Sequence, residues 1–176
     1  MAAFLLERRC CPIVRFLGRT SKVVHLYVLS EIFALLNQFW SYRIEEVYAK
    51  DAMARRNHKD LILWQKALTL AHAVHEATAR FPRHELFGLT GQMRRAAVSV
   101  PSNIAEGAAR STTREFIQFL HIARGSLAEL ETQIHLAERA GYFSSAERLL
   151  LQLEEVGKLI NAVISGLRRR LAHQQR

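Results

Sequence analysis

The sequence predicts an all-α protein, an antiparallel up-down four-helix bundle, and three observations lead to this prediction. Apolar residues recur at steps of three and four in successive segments between about residue 60 and residue 171, as they do on one face of an α-helix. Proline, glycine and capping residues separate these segments by short connections, which favour antiparallel neighbours. No segment between turn signals alternates with the period of two that strands show.

The first predicted helix runs from about residue 60 to residue 79 and ends before Phe81-Pro82, because a residue that precedes proline avoids the helical conformation. Its expected core stripe comprises Leu61, Trp64, Leu68, Ala71, His75 and Thr78. The second predicted helix lies between residues 92 and 110, and its apolar stripe comprises Met93, Ala96, Ala97, Val100 and Ile104. Pro101 falls inside this helix, so we expect a kink near Val98 and not an end.

A polar stripe accompanies the apolar one on the second helix, and it comprises Arg95, Ser99, Ser102, Glu106 and Arg110. Burial of an unpaired charge costs several kcal/mol, so buried charged side chains usually pair with each other. We therefore interpret part of this stripe as a structural polar network at helix or subunit contacts. The predicted members of the network are Arg95, Ser99, Asn103, Glu106 and, on the third helix, Glu131. Asn103 is also expected to satisfy backbone groups that the kink at Pro101 frees.

The third and fourth helices are predicted from their starts and from their heptad seams. Thr112 with Glu115 and Ser144 with Glu147 have the spacing of a capping box, and Gly141 stands where the third helix would end. The seam of the third helix comprises Phe116, Leu120, Ala123, Leu127, Leu130, Ile134 and Ala137. The seam of the fourth helix comprises Leu149, Leu153, Val156, Ile160, Val163 and Leu167.

A set of short motifs occurs in order along residues 60–171. The motifs are Asp60-Leu61, Trp64-Gln65-Lys66-Ala67, Phe81-Pro82 with Glu85, Gly88-Leu89, Arg94-Arg95-Ala96-Ala97, Asn103-Ile104-Ala105-Glu106-Gly107, Gly125-Ser126-Leu127 and Glu129-Leu130-Glu131-Thr132. In this order and spacing the chain resembles the four-helix-bundle proteins known as 23S rRNA-intervening sequence proteins, whose relatives include accessory variability proteins of diversity-generating retroelements. The resemblance implies a compact antiparallel bundle that assembles into a ring, commonly a pentamer, and it implies no known catalytic activity.

The sequence divides into a bundle domain, residues 53–176, and an N-terminal extension, residues 1–52, which lies upstream of the resemblance. Three interpretations of the extension stay open. The preferred one is an open reading frame that begins upstream of the true start, with Met53 as a natural initiation residue. The second is a membrane anchor over residues 23–40, which Glu31 makes costly. The third is an added amphipathic helix over residues 23–48.

Charge is the main functional signal in the sequence. The chain carries 25 Lys and Arg against 16 Asp and Glu, a formal net charge of +9. From Asn57 onward there are 16 basic and 11 acidic residues, which leaves +5 on the bundle itself. A ring of identical subunits would repeat these charges as bands of positive potential suited to a phosphate backbone. The candidate nucleic-acid-binding residues are Arg94, Arg110, Arg114, Arg124, Arg168, Arg169 and Arg170.

The last three of these arginines have a second interpretation. They stand late in the fourth helix, where positive charge stabilises the negative end of the helix dipole. We prefer that structural role for the triplet and keep phosphate contact as the alternative.

No arrangement of residues indicates an enzyme, a metal site or a cofactor. His72 and His75 are the only helical histidine pair close enough to share a ligand, and a core position is the preferred interpretation of His75. Glu131 lies four residues before His135, whereas di-iron bundles use Glu-x-x-His on two helices. Cys10 and Cys11 are adjacent, which disfavours a disulfide between them and fits a reducing cytoplasm.

Two function classes remain. The preferred one is a non-enzymatic homo-oligomer that binds the backbone of RNA or DNA in the cytoplasm, without a membrane. The alternative is a scaffold that docks a protein partner such as a reverse transcriptase, as the resemblance to retroelement proteins implies.

Overall fold

The computed structural model describes Val47, residues 57–143 and residues 145–174, and four α-helices follow one another along these residues. They are α1, Ile62–Thr78; α2, Leu89–Ala108; α3, Thr113–Arg139; and α4, Glu147–Gln174. Two 3₁₀ helices, His58–Asp60 and Arg83–Glu85, precede α1 and α2. Each helix packs on the next in the chain, and α4 also packs on α1. The described part of the chain contains no strand, so the predicted all-α class is confirmed.

The core of α1 differs from its predicted stripe. The buried residues of this helix are Leu63, Ala67, Leu70, Ala71, Val74 and Thr78. Leu68 is 47% exposed and His75 is also exposed, so the prediction that these two side chains face the core was wrong. The apolar residues of α1 permit two stripes at steps of three and four, and the observed one is rotated by about one residue from the predicted one.

The apolar face of α2 is confirmed, because Met93, Ala96, Ala97, Val100 and Ile104 are all buried. Pro101 lies inside the helix, which continues to Ala108 as predicted. Asn103 donates from Nδ2 to the carbonyl oxygen of Ser99 at 2.8 Å. Proline lacks an N–H, so the carbonyl that loses its usual donor belongs to Ala97, four residues earlier. Asn103 bonds the Ser99 carbonyl, two residues before Pro101, and not the Ala97 carbonyl.

The predicted start and end of α3 are both confirmed by backbone geometry and hydrogen bonds. Thr112 and Glu115 form a capping box in which the Thr112 hydroxyl accepts from the Glu115 N–H at 3.2 Å. At the other end of α3, Gly141 has φ +75° and the Tyr142 N–H bonds the Ala137 carbonyl at 3.0 Å, which together make a Schellman motif. Ser144 lies outside the described residues. The seams predicted for α3 and α4 are buried throughout.

Apart from Val47, the residues on which the interpretations of the N-terminal extension depend also lie outside the described residues. Among the residues that are described, no helix is long and apolar enough to cross a membrane.

Glu85, in the α1–α2 connection, forms hydrogen bonds to the start of α2 and to a residue just beyond the end of α3. One carboxylate oxygen accepts from the Leu89 N–H at 2.9 Å, at the start of α2, and the other accepts from the Tyr142 hydroxyl at 3.0 Å. Tyr142 packs in turn on Phe81, with ring centroids 5.2 Å apart. The hydrogen bond from Leu89, then that from Tyr142, holds the pKa of Glu85 below its ordinary value of 4.5. The same carboxylate raises the pKa of Tyr142 above 10.0.

Replacing Glu85 with Gln should therefore lower the free energy of unfolding at neutral pH and have a smaller effect in acid. A carboxyl group whose pKa is lower in the folded state stabilises the fold above its unfolded pKa, and the stabilisation disappears as pH falls through the folded value. Urea unfolding at pH 7 and below pH 4 would measure both effects. Glu154→Gln, at an exposed position on α4 in a surface pair with Lys158, is the control and should change the free energy of unfolding little. An equal loss at both pH values for Glu85→Gln would contradict the assigned role.

Candidate nucleic-acid interface

The predicted basic residues divide into two groups by the partners that they have. Arg94 is half-buried and donates from Nε to the Thr78 hydroxyl at 2.9 Å, across the α1–α2 contact. Arg110 forms an ion pair with Glu106 one turn earlier, and its guanidinium lies 5.0 Å from the centroid of the Phe119 ring. These two arginines join parts of the fold to one another, and the charge of Arg110 is neutralised by its carboxylate partner.

Arg124 and Arg168 have partners of a different kind. Arg124 of α3 donates from Nη1 to the Asn161 amide oxygen of α4 at 3.3 Å. Arg168 of α4 bonds from Nη2 to Nε2 of His121 on α3 at 2.9 Å. Both arginines are exposed, and both bonds cross between the same two helices. Two predicted phosphate-binding residues, distant in sequence, are thus brought to one face of the fold.

The charges that act on the His121 ring, between α3 and α4, are all positive. The pKa of His121 lies below its ordinary value of 6.5 because of burial and then because of the positive charges of Arg124 and Arg168. Among the described residues, neither arginine has a carboxylate partner. Each guanidinium has five N–H donors, and one hydrogen bond to a neutral acceptor leaves most of them available. The face can therefore donate several charge-assisted hydrogen bonds to an anion.

The remaining basic candidates lie elsewhere. Arg114 is exposed in the first turn of α3. Arg169 is half-buried, Arg170 is exposed, and both already interact with other groups of the chain. The members of the triplet therefore differ in burial, since Arg168 and Arg170 are exposed and Arg169 is half-buried.

Sequence reasoning missed His121 and Asn161. Both residues look unremarkable alone, because one is a scattered histidine and the other is a polar residue between buried positions of α4. The spacing of these two residues from the arginines could have identified them. His121 precedes Arg124 by three residues and Asn161 precedes Arg168 by seven, so each pair shares one face of its helix.

The residues predicted as one structural polar network are only partly brought together. Ser99 bonds Ser126 of α3 through their hydroxyl groups at 2.8 Å, and Asn103 donates to the Ser99 hydroxyl at 3.0 Å. Glu106 pairs with Arg110 and not with Arg95, which is exposed and has no bond to the described residues. Glu131 is also exposed, and it lines a groove of about 640 Å³ between α3 and α4 that Arg124 and Asn161 line as well. A role for Arg95 and Glu131 at subunit contacts stays a prediction.

The histidines considered as metal ligands have other surroundings. His72 lies with Nε2 3.6 Å from a carboxylate oxygen of Glu76, on the exposed side of α1. Within the described residues, no three His, Cys, Asp or Glu side chains are grouped closely enough to hold a metal ion.

A family model described as 23S rRNA-intervening sequence protein matches residues 59–162, more than half of the chain. The chain belongs to the 23S rRNA-intervening sequence protein family. A comparison with curated proteins found no match. The matched stretch of this family member contains α1, α2 and α3 and extends into α4, so that His121, Arg124 and Asn161 lie inside it. Arg168 lies beyond the matched stretch, but it contacts that stretch through its hydrogen bond to His121.

Proposed function

We propose that this 23S rRNA-intervening sequence protein is a non-enzymatic, cytoplasmic homo-oligomer that binds the phosphate backbone of RNA or DNA. The observation that carries the proposal is the pair of exposed arginines, Arg124 and Arg168, whose hydrogen-bond partners are neutral groups. An arginine in a surface ion pair has its charge largely offset, whereas these two keep a full charge for an incoming anion.

The charge of the bundle supports the same proposal. From Asn57 onward the sequence holds 16 basic and 11 acidic residues, so the region with the four helices is +5. Backbone contacts position a protein on nucleic acid and carry no direct sequence information. The α3–α4 face offers guanidinium groups and an imidazole, so we expect binding with little sequence preference.

We also propose that the helices run up and down in antiparallel order. Cross-helix contacts support this arrangement because residue numbers rise on one helix as they fall on its neighbour. On α3 and α4, His121 bonds Arg168 whereas Arg124 bonds Asn161. On α2 and α3, Ser99 bonds Ser126, and Gly107 lies against Phe116.

The proposed oligomer is a ring, with a pentamer favoured by the family resemblance. Phe87 is 92% exposed and Ile122 is 46% exposed, and contacts between subunits would remove this apolar surface from water. Trp64 and Phe119, expected from sequence to contribute to such contacts, are half-buried against His58 and Arg110 respectively. A ring would repeat the α3–α4 face in every subunit and so multiply the phosphate contacts.

Phe87 also motivates the second candidate function, a scaffold that docks a protein partner such as a reverse transcriptase. An aromatic side chain this exposed is typical of a protein interface, where such residues serve as anchors. In that case the basic face would dock an acidic protein surface instead of a phosphate backbone.

Binding of a fluorescent 20-nucleotide RNA and of duplex DNA to the full chain tests the proposal. We expect affinity in the non-specific range, about 10⁻⁴ to 10⁻⁶ M at physiological salt, and a steep fall of log K with log salt. The double substitution Arg124→Gln and Arg168→Gln should reduce that slope by about 0.7 for each phosphate of the single strand that the protein no longer neutralises.

Arg110→Gln is the matched control, because it removes one arginine that is already paired with a carboxylate. It should leave the salt slope nearly unchanged. Absence of any binding to RNA or DNA at about 50 mM salt, where electrostatic affinity is much greater than at physiological salt, would overturn the nucleic-acid proposal and favour the scaffold.

A further inference from the structure

His121 lies where its ring can change the hydrogen bonding of the basic face. Its Nε2 atom is 2.9 Å from the Arg168 guanidinium, which can only donate. Nε2 is therefore the accepting nitrogen, and the ring proton resides on Nδ1. The imidazole is neutral in this arrangement and holds Arg168 toward α3.

Protonation of His121 would break this bond. Both ring nitrogens of an imidazolium are donors, so Nε2 could no longer accept from Arg168. The Arg168 guanidinium would then be released, and the ring would add a positive charge beside the charges of Arg124 and Arg168. Three adjacent cations repel one another, and a bound anion would offset this repulsion.

We propose that His121, Arg124 and Arg168 form a site for a backbone phosphate of nucleic acid whose affinity rises when His121 takes up a proton. This inference rests on the proposed function and adds to it a ligand group and a pH dependence. The phosphate would accept hydrogen bonds from the two guanidinium groups and from Nε2 of the protonated ring. The proton would come from solvent, so that binding of the phosphate and uptake of the proton favour each other.

The surroundings of the ring support this coupling. Burial and the two arginines lower the pKa of His121 in the free protein, so the ring is mostly neutral at pH 7. Among the described residues, the charged groups that act on the ring are Arg124 on α3 and Arg168 on α4, and both are cations. A bound phosphate would be the opposing charge in this group and would raise the pKa of the ring.

The test measures affinity of the full chain for the 20-nucleotide RNA between pH 8 and pH 5.5 at constant salt. We expect affinity to rise as pH falls, by at most about tenfold per pH unit for each coupled proton. His121→Gln should abolish the part of this rise that comes from the site, since a glutamine amide can accept from Arg168 but does not protonate in this range. His135→Gln is the matched control on the same helix, because His135 is exposed and lies 3.8 Å from a carboxylate oxygen of Glu138.

Proton NMR of the His121 ring gives an independent readout, with the signal assigned by its absence in His121→Gln. We expect RNA to raise the pKa of this ring, and Arg168→Gln to weaken that response. If RNA binds but His121→Gln and wild-type protein share the same pH dependence, the inference is wrong and the proposed function stands. If RNA does not bind at any pH, both are wrong. If inorganic phosphate shifts the ring signal and RNA does not, the site binds free phosphate and the assignment to nucleic acid is overturned.

Discussion

Replacing Gly107 with Ala is expected to lower the free energy of unfolding by about 2 kcal/mol, although alanine is the better helix former. A Cβ at this position of α2 would stand 2.6 Å from the Phe119 Cβ and 2.8 Å from the Phe116 Cδ2. The Phe119 Cβ is attached to the α3 backbone and cannot rotate away, so the two helices must separate. Overpacking of this kind costs about 1–3 kcal/mol or more, which exceeds the gain in helix propensity.

Gly125→Ala is the matched control for this substitution. Gly125 also lies inside a helix, but no atom would come within 4 Å of its added Cβ. This variant should gain about 0.8–1 kcal/mol from helix propensity alone. The propensity gain is common to both variants, so the difference between them measures the steric cost at Gly107. Urea unfolding followed by circular dichroism gives both values, and equal stabilisation of the two variants would show that α2 and α3 approach less closely here.

The second large effect concerns the mass of the particle in solution. Light scattering on the full chain at micromolar concentration should give a multiple of 20.1 kDa, and five chains are favoured by the family resemblance. Phe87→Ser should lower this mass toward that of one chain if Phe87 is buried between subunits. Burial of a phenylalanine side chain contributes about 1.5–3 kcal/mol, so its loss weakens each interface about tenfold or more.

Leu68→Ser serves as the control for the assembly experiment. Leu68 is 47% exposed on α1, so its replacement tests whether any loss of apolar surface reduces the mass. Only Phe87→Ser should do so. A wild-type chain that is monomeric at micromolar concentration would end the ring proposal.

The fold could be predicted from the sequence where the residue pattern permits only one buried face or one helix end. The seams of α3 and α4 repeat at heptad spacing over several turns, so only one face of each helix could be buried. The start of α3 at Thr112 and its end at Gly141 follow from local chemistry, a hydroxyl acceptor in one case and a left-handed residue in the other. On α1 the periodicity admitted two stripes, and the choice between them depends on neighbouring helices that the pattern does not specify.

The candidate site was less predictable because it depends on pairing between helices. Arg124 and Arg168 were predicted as basic residues, but their common face follows from the register between α3 and α4. The network expected around Arg95 and Glu106 assumed that both are at least half-buried, whereas both are exposed. Glu106 found a partner one turn away at Arg110, and a pair at that spacing forms on any helix surface without help from the tertiary fold.

The Glu85 carboxylate has a consequence for how the fold opens. Its two oxygens bond groups at the beginning of α2 and just beyond the end of α3, the latter 57 residues away along the chain. Fraying of either helix end would leave the carboxylate with one partner, so the two ends are energetically linked. They should open together as one cooperative unit, and amide protons at both ends should then show similar protection from exchange with solvent. Two helix termini that are remote in sequence would in this way share a single local stability.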